Sequence, residues 1–139
     1  MSIRRRILLA DDHAAMLARS ARLLGEQHEV VGTVTNGLDL LAAATRLKPD
    51  LIVLDISMPG LNGLEAARRL KEAGCRSRMV FLTVHEDADY ARQALALGAD
   101  GYVVKTRVAS DLMLAVSEAL AGRKFISPTV TLNNPETEQ

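Results

Sequence analysis

Five short apolar runs, each followed by a longer segment of helical periodicity, dominate this chain of 139 residues. Uninterrupted apolar runs are typical of strands that are buried on both faces of a parallel sheet, and the segments between them predict helices that cover it. Crossovers of this kind are right-handed almost without exception, which leaves few topologies. The pattern therefore predicts an α/β fold with a five-stranded parallel sheet and helices on both faces.

The natural topology for five such units is the doubly wound strand order 2-1-3-4-5, a flavodoxin-like (β/α)5 three-layer sandwich. The predicted strands are Arg6–Ala10, Glu29–Thr33, Leu51–Leu54, Met79–Leu82 and Gly101–Val104. The predicted helices are Ala14–Glu26, Gly37–Leu47, Gly63–Ala73, Ala88–Leu97 and Ser110–Ala121. Helix-ending residues support these bounds: Lys48 with Pro49 after the second helix, then Gly74, Gly98 and Gly122 after the next three.

The length and composition fit one domain with an aliphatic core, because 48% of the residues are hydrophobic but only 3% are aromatic. We predict a domain over residues 1–124 and a linker or tail over 125–139, in which Phe125 and Ile126 could add a last apolar contact. The tail becomes polar from Thr129 onward.

Charge and cysteine content exclude several kinds of function. Lys and Arg number 17 and so do Asp and Glu, so strong nonspecific nucleic-acid binding is not expected, and any DNA binding would reside outside these residues. The single cysteine, Cys75, excludes an internal disulfide and fits a reducing compartment. The apolar run after Arg4–Arg6 is too short for export, and no segment is long enough to span a bilayer, so we expect a soluble cytoplasmic protein.

Three carboxylates follow two of the predicted strands. Asp55 closes the run Leu51–Leu54, and Asp11 and Asp12 follow the first strand. In the predicted order these strands are neighbours at the point where the winding reverses, so the three side chains converge. Clustered carboxylates repel one another unless a hard cation such as magnesium holds them, although Asp11 or Asp12 alone could equally cap the helix that follows.

Thr83 and Lys105 follow the fourth and fifth strands and lie on the same predicted edge. A lysine about 4 Å from a carboxylate gains roughly 4 kcal/mol of Coulomb energy at an effective dielectric constant near 20. The alternatives are a β-branched strand residue for Thr83 and a solvated strand end for Lys105. Their position beside the carboxylates favours a shared site.

This set of residues, together with Met58, Pro59 and Gly63, resembles the receiver domain of bacterial two-component response regulators over about residues 4–124. The resemblance implies that Asp55 accepts a phosphoryl group from a sensor histidine kinase. It implies that Mg²⁺ binds to Asp11, Asp12, Asp55 and the backbone carbonyl of Ser57. Lys105 and Thr83 would contact the phosphoryl oxygens. Such a domain is not an enzyme beyond its own phosphorylation and dephosphorylation.

The resemblance also implies a switch. Thr83 would move towards the phosphoryl group and Tyr102 would exchange an outward for an inward position, which would alter the face of the fourth helix, fifth strand and fifth helix. That face could also form a homodimer. The alternative for Tyr102 is an aromatic residue half-buried at the sheet edge. Ser57 and His85 occupy positions that influence phosphoryl hydrolysis in this family, whereas His13 is interpreted only as a helix-start residue.

Two residues depart from the family pattern. Val84 is larger than the residue that often follows the threonine, which could narrow the path to Asp55, and Thr106 stands where proline often follows the lysine. Neither departure removes a residue of the predicted site.

The segment Gly122–Pro128 resembles the connection to a helix-turn-helix output domain in LuxR/FixJ-class transcriptional regulators. Only eleven residues follow Pro128, so the expectation is a shortened form of a DNA-binding regulator that lacks its output domain. A stand-alone receiver that acts through protein contacts or a phosphorelay remains open. A magnesium-dependent phosphatase is disfavoured because Ser57 stands where a second Asp is needed. A flavodoxin-like cofactor binder is disfavoured because Asp11 and Asp12 would repel a phosphate.

Overall fold

A computed structural model of the chain describes residues 4–130, which form one parallel sheet with helices on both faces. The strands are β1 Arg6–Ala10, β2 Glu29–Val34, β3 Leu51–Leu54, β4 Arg78–Thr83, β5 Gly101–Val104 and β6 Phe125–Ile126. The helices are α1 Ala14–Gly25, α2 Gly37–Leu47, α3 Gly63–Glu72, α4 Ala88–Ala96 and α5 Val108–Leu120. A short 3₁₀ turn, Lys105–Arg107, joins β5 to α5.

The predicted α/β fold is confirmed, with one correction: the sheet has six strands in the order β2-β1-β3-β4-β5-β6. Phe125 and Ile126 pair in parallel with β5, opposite Gly101 and Tyr102. A two-residue strand is too short to show a periodic pattern, so only an apolar contact could be expected there. The division into residues 1–124 and 125–139 stays a prediction, and its part beyond residue 130 lies outside the described residues.

The predicted helix ends agree with the backbone conformation. Lys48 follows α2 in the left-handed region with a φ of 47°, and Gly98 follows α4 with a φ of 91°. Helix α5 begins at Val108, two residues before the predicted start, because the turn at Lys105–Arg107 leads directly into it. The left-handed residues Lys48 and Gly98 thus interrupt the helical backbone after α2 and α4.

Two apolar layers enclose the sheet, and alternate residues of each strand face opposite layers. Within β3, Ile52 and Leu54 pack in the layer under α2, α3 and α4, whereas Leu51 and Val53 pack in the layer under α1 and α5. All four side chains are buried. This burial predicts that truncation of any one of them to alanine lowers the free energy of unfolding by about 2–5 kcal/mol. Packing in both layers thus stabilises the central strand.

The strand register brings the candidate residues to one edge. Ala10 pairs with Leu54 across β1 and β3, so Asp11 and Asp55 leave the sheet at the same level. The Asp55 amide donates to the carbonyl of Ala10 at 3.0 Å. Thr83 pairs with Val104 across β4 and β5, which places Lys105 directly after this level.

Gly63 holds the loop after β3 against the backbone of Asp55. Its amide donates to the carbonyl of Ile56 at 2.7 Å, and a Cβ added here would lie 1.9 Å from the carbonyl oxygen of Asp55. We expect Gly63→Ala to lower the free energy of unfolding in urea by about 3 kcal/mol, because the backbone would have to shift.

The matched control is Gly25→Ala at the end of α1, where an added Cβ meets nothing within 4 Å. We expect this substitution to leave the stability unchanged or to raise it by up to about 1 kcal/mol. Equal stability of the two variants would contradict the proposed close approach.

Candidate functional site

Asp55 is a buried carboxylate with a donor on each oxygen. Its residue is 2% exposed. Oδ2 accepts a hydrogen bond from Lys105 Nζ at 2.8 Å, and Oδ1 accepts one from the Ile56 amide at 2.7 Å. These donors offset the cost of burying the charge.

Lys105 joins Asp55 to a second buried carboxylate. Its Nζ lies 3.0 Å from Asp11 Oδ1 and 2.9 Å from Asp11 Oδ2. Burial lowers the pKa of Lys105, but the hydrogen bonds to Asp55 and Asp11 outweigh burial and leave its pKa above the ordinary value. The ammonium is therefore charged at neutral pH and compensates two carboxylates.

The capping alternative for the acid pair does not hold for α1. The N-cap of this helix is His13, and no side chain caps it. Asp11 Oδ1 instead accepts the His13 amide at 2.9 Å, in the turn just before the helix. Capping of α1 by Asp11 or Asp12 is therefore wrong, and cation binding by these two residues stays a prediction.

His13 is part of this cluster, which sequence reasoning missed. Its Nδ1 lies 3.0 Å from Lys105 Nζ and 3.5 Å from Asp11 Oδ1. The contact requires Nδ1 to accept from the ammonium, so the neutral ring would carry its proton on Nε2. The adjacency of His13 to two acids was the available signal, but the contact with Lys105 depends on a residue 92 positions away.

The same cluster has the chemistry of a site for a hard divalent cation. Ligand atoms from Asp11, Asp12, His13 and Asp55 all lie within 4.8 Å of one another. Asp11 Oδ2 is buried, lies 2.9 Å from the Lys105 ammonium and accepts no other contact from the described residues, so it keeps a lone pair for a cation. Carboxylate oxygens that open to solvent through the exposed Asp12 suit Mg²⁺.

Thr83 and Ser57 both reach His85. Thr83 is fully buried at the end of β4, and its Oγ1 accepts a hydrogen bond of 3.4 Å from the His85 amide. Ser57 Oγ lies 2.9 Å from His85 Nε2, a hydrogen bond that joins the loop after β3 to the loop after β4. The His85 ring also stacks on Tyr90 of α4, with ring centroids 4.3 Å apart.

Tyr102 is fully buried, so the alternative of a half-buried aromatic residue at the edge is wrong. Its hydroxyl donates to the carbonyl of His85 at 2.8 Å, and its ring lies 6.4 Å from that of Phe81. Burial, and then the negative charges of Asp87 and Asp55, raise the pKa of Tyr102, so the hydroxyl remains protonated. The ring therefore occupies the inward position in this structure.

The two departures from the family pattern lie at the mouth of the site. Val84 is 58% exposed and, with Met16 and Thr106, lines a shallow recess of about 320 Å³ beside Lys105 and His13. Val84 therefore borders the approach to the ammonium.

The fold and the site define a receiver domain of the response regulator class. The family described as the response regulator receiver domain matches residues 7–117, so the chain belongs to this family. Its sheet order and its acidic cluster therefore belong to a receiver domain of two-component systems.

Particular relatives agree with this assignment. The nitrate/nitrite response regulator protein NarL of Escherichia coli K12 is 38% identical over 127 residues, which are 90% of this chain and 59% of NarL. The response regulator GacA of Pseudomonas aeruginosa is 34% identical over 127 residues, with the same shares of the two chains. A crystal structure of a LuxR-family two-component response regulator from Aurantimonas sp. SI85-9A1 has a TM-score of 0.90 and 29% identity, and the match covers 98% of this chain and 99% of that chain.

This chain spans about 59% of the length of these curated relatives. Within residues 4–130, no helix is both long and apolar enough to cross a membrane.

Removal of the Lys105 ammonium tests the electrostatic account of the site. We expect Lys105→Met to lower the free energy of unfolding by about 3–5 kcal/mol at neutral pH, because it leaves Asp11 and Asp55 buried without their shared cation. Added Mg²⁺ should restore part of the loss. Urea denaturation with and without Mg²⁺ measures both effects.

The matched control is Lys71→Met on α3, since Lys71 is partly exposed and makes no ion pair with the residues that the structure describes. A loss that is equal in the two variants, or that Mg²⁺ does not reduce in Lys105→Met, would contradict the account.

Proposed function

We propose that Asp55 is the phosphoacceptor of a magnesium-dependent receiver, which takes its phosphoryl group from a sensor histidine kinase or a small acyl phosphate. The observation that carries the proposal is the buried Asp55 carboxylate paired with the Lys105 ammonium at 2.8 Å. A buried carboxylate that accepts a hydrogen bond from an ammonium group has a partner that can compensate the charge of the reaction, as a nucleophile requires.

The reaction would replace one bond to phosphorus by another. An oxygen of Asp55 attacks the phosphorus, and the bond to the donor nitrogen or oxygen breaks with its electron pair on the leaving group. Lys105, which already contacts Asp55 Oδ2, needs only a small movement to reach a phosphoryl oxygen. Mg²⁺ bound by Asp11, Asp12, Asp55 and the Ser57 carbonyl would add positive charge where negative charge spreads.

An open groove supports access for a donor. It lies beside the acidic cluster, between the loop after β3 and helix α4, and has a volume of about 840 Å³. Asp12, Ser57, Met58, Tyr90 and Gln93 are among its lining residues. Its volume exceeds that of a phosphorylated side chain or a small acyl phosphate, which supports the approach of such a donor.

Phosphorylation would change the positions of the Thr83 and Tyr102 side chains. A phosphoryl group adds negative charge and acceptor oxygens, which the buried Thr83 hydroxyl can meet as a donor. Its present contact with the His85 amide is long, at 3.4 Å, and so is weakly held. Phosphorylation would then favour the inward Tyr102 found here over an outward position, a shift between two states of the face formed by α4, β5 and α5.

The wider role follows from the relatives and is also a proposal. Two of them are named as response regulators, and NarL is named for nitrate and nitrite. We propose that this receiver acts in the cytoplasm and forms a homodimer through the face of α4, β5 and α5. It would control transcription through a helix-turn-helix output domain. A stand-alone receiver that passes on a phosphoryl group or binds a target protein is the second candidate.

Incubation with Mg²⁺ and acetyl phosphate, followed by intact mass measurement, tests the proposed function. We expect a gain of one phosphoryl group that requires Mg²⁺. Asp55→Asn should abolish the gain, whereas the control Asp39→Asn, an exposed position on α2 that does not line the groove, should retain it. A folded protein that binds Mg²⁺ but gains no phosphoryl group would overturn the proposal.

The hydrogen bond between Ser57 and His85 predicts a slow loss of the phosphoryl group. The two side chains bridge the loops beside Asp55, so they should restrict the approach of water. We expect Ser57→Ala and His85→Ala each to raise the dephosphorylation rate roughly fivefold, about the 1 kcal/mol of one hydrogen bond. The decay of the phosphorylated mass after removal of acetyl phosphate gives the rate, and an unchanged rate in both variants would refute the prediction.

A further inference from the structure

Asp111 is a buried carboxylate that the proposed phosphoryl chemistry does not use. It lies in the first turn of α5 and is 3% exposed. Its Oδ2 accepts from Arg107 Nε at 2.8 Å and from Ser127 Oγ at 2.7 Å, and its Oδ1 accepts from Ser110 Oγ at 3.0 Å. Burial raises the pKa of Asp111, but the hydrogen bonds from Arg107, Ser127 and Ser110 outweigh it and leave the pKa below its ordinary value.

We name residues 125–130 the C-terminal strap. Ser127, which donates to the Asp111 carboxylate, attaches this strap to β5. Ser127 is fully buried. Its amide donates to the carbonyl of Tyr102 at 2.9 Å, and its Oγ accepts from the amide of Val104 at 3.2 Å while donating to Asp111. Each hydrogen-bonding group of Ser127 named here is thus committed to β5 or α5.

Apolar contacts hold the strap on the same side of the sheet as the Tyr102 ring. Ile126 pairs with Tyr102 in the ladder and packs against the core layer that contains the ring. Val130 is buried in the same layer, and its amide donates to the carbonyl of Ser127 at 3.0 Å. An outward Tyr102 would therefore remove its ring from the apolar layer in which Ile126 and Val130 pack.

Tyr102 connects the strap to the candidate site through its two ends. Its backbone carbonyl accepts a hydrogen bond from the Ser127 amide, and its hydroxyl donates to the carbonyl of His85. The His85 ring in turn forms a hydrogen bond with Ser57. One residue thus contacts both the segment at the C-terminal end of the described chain and the loop beside Asp55.

We propose that the edge of β5 is a binding site for the C-terminal strap, which the hydrogen bond between Asp111 and Ser127 holds in place. Docking of the strap and the inward position of Tyr102 would then stabilise each other. Phosphorylation of Asp55, which would favour the inward ring, would then also favour the docked strap. By reciprocity, docking would strengthen the equilibrium binding of a phosphoryl mimic such as beryllofluoride at Asp55 by the same factor. The coupling to phosphorylation rests on the proposed function, whereas the docking does not.

Undocking has a defined chemical cost that variants can probe. Release of the strap would remove one donor from Asp111 and one acceptor from the Val104 amide, both of which are buried. Ser127→Ala removes both bonds with little change in volume. Ser110→Ala is the matched control, because Ser110 is exposed and binds the same carboxylate without touching the strap.

Hydrogen exchange of the full chain, followed by NMR or mass spectrometry, tests the docking. In the resting protein we expect Ser127→Ala and Asp111→Asn to speed exchange of the amides of Phe125, Ser127 and Val130 about tenfold, and Ser110→Ala to change it less than twofold. Unchanged strap exchange in both of the first two variants would overturn the docking.

The coupling is tested on the same samples with Mg²⁺ and either acetyl phosphate or beryllofluoride. We expect strap exchange to slow severalfold in the unsubstituted chain, and Ser127→Ala to bind beryllofluoride severalfold more weakly. A confirmed phosphoryl gain with unchanged strap exchange would overturn the coupling. Absence of any phosphoryl gain in the unsubstituted chain would instead refute the proposed function, while the resting-state comparison still decides the docking.

Discussion

The ammonium group of Lys105 lies between two buried carboxylates, 2.8 Å from Asp55 Oδ2 and 2.9 Å from Asp11 Oδ2. Three buried charges are tolerable only because they meet at hydrogen-bonding distance. The register of β1 with β3 and of β4 with β5 creates this meeting, and the close approach of Gly63 to Asp55 fixes the loop beside it. Under the proposed function, the same arrangement would place the Asp55 carboxylate next to a cation that could also contact a phosphoryl group.

Most of the fold and the core of the site could be predicted from local sequence. Apolar runs of four or five residues predict buried strands, and the polar residue that ends each run must leave the sheet at one edge. Asp11, Asp55, Thr83 and Lys105 were found in this way, because their positions depend only on strand ends and strand order. Family resemblance then supplied the roles, which local chemistry alone left open.

The features that escaped prediction all depend on contacts between distant residues. Strand β6 has only two residues, and it is a strand because it pairs with the edge of β5, which its own sequence does not indicate. His13 carries no periodic signal, and its significance comes from Lys105, 92 positions away. The burial of Tyr102 and the role of Asp111 likewise depend on packing across the sheet, where sequence spacing gives no guide.

A chain of contacts therefore runs from the carboxylate cluster to the end of the described chain. A hydrogen bond between Ser57 and His85 joins the two loops beside Asp55. The Tyr102 hydroxyl donates to the His85 carbonyl, and the Ser127 amide donates to the Tyr102 carbonyl. Each of these contacts is a single hydrogen bond in the structure. Under the proposed function, a phosphoryl group at Asp55 would shift the population of this arrangement relative to one in which the bonds are broken. The site and the strap would then share one equilibrium.

The position of the phosphoryl group tests the central claim most directly. Sodium borohydride reduces an aspartyl phosphate to homoserine, and peptide mass spectrometry locates the reduced residue after treatment with Mg²⁺ and acetyl phosphate. The account predicts homoserine in place of Asp55 and at no other aspartate. Reduction at Asp11 or Asp12, or a stable phosphate on Ser57 with Asp55 unmodified, would contradict it.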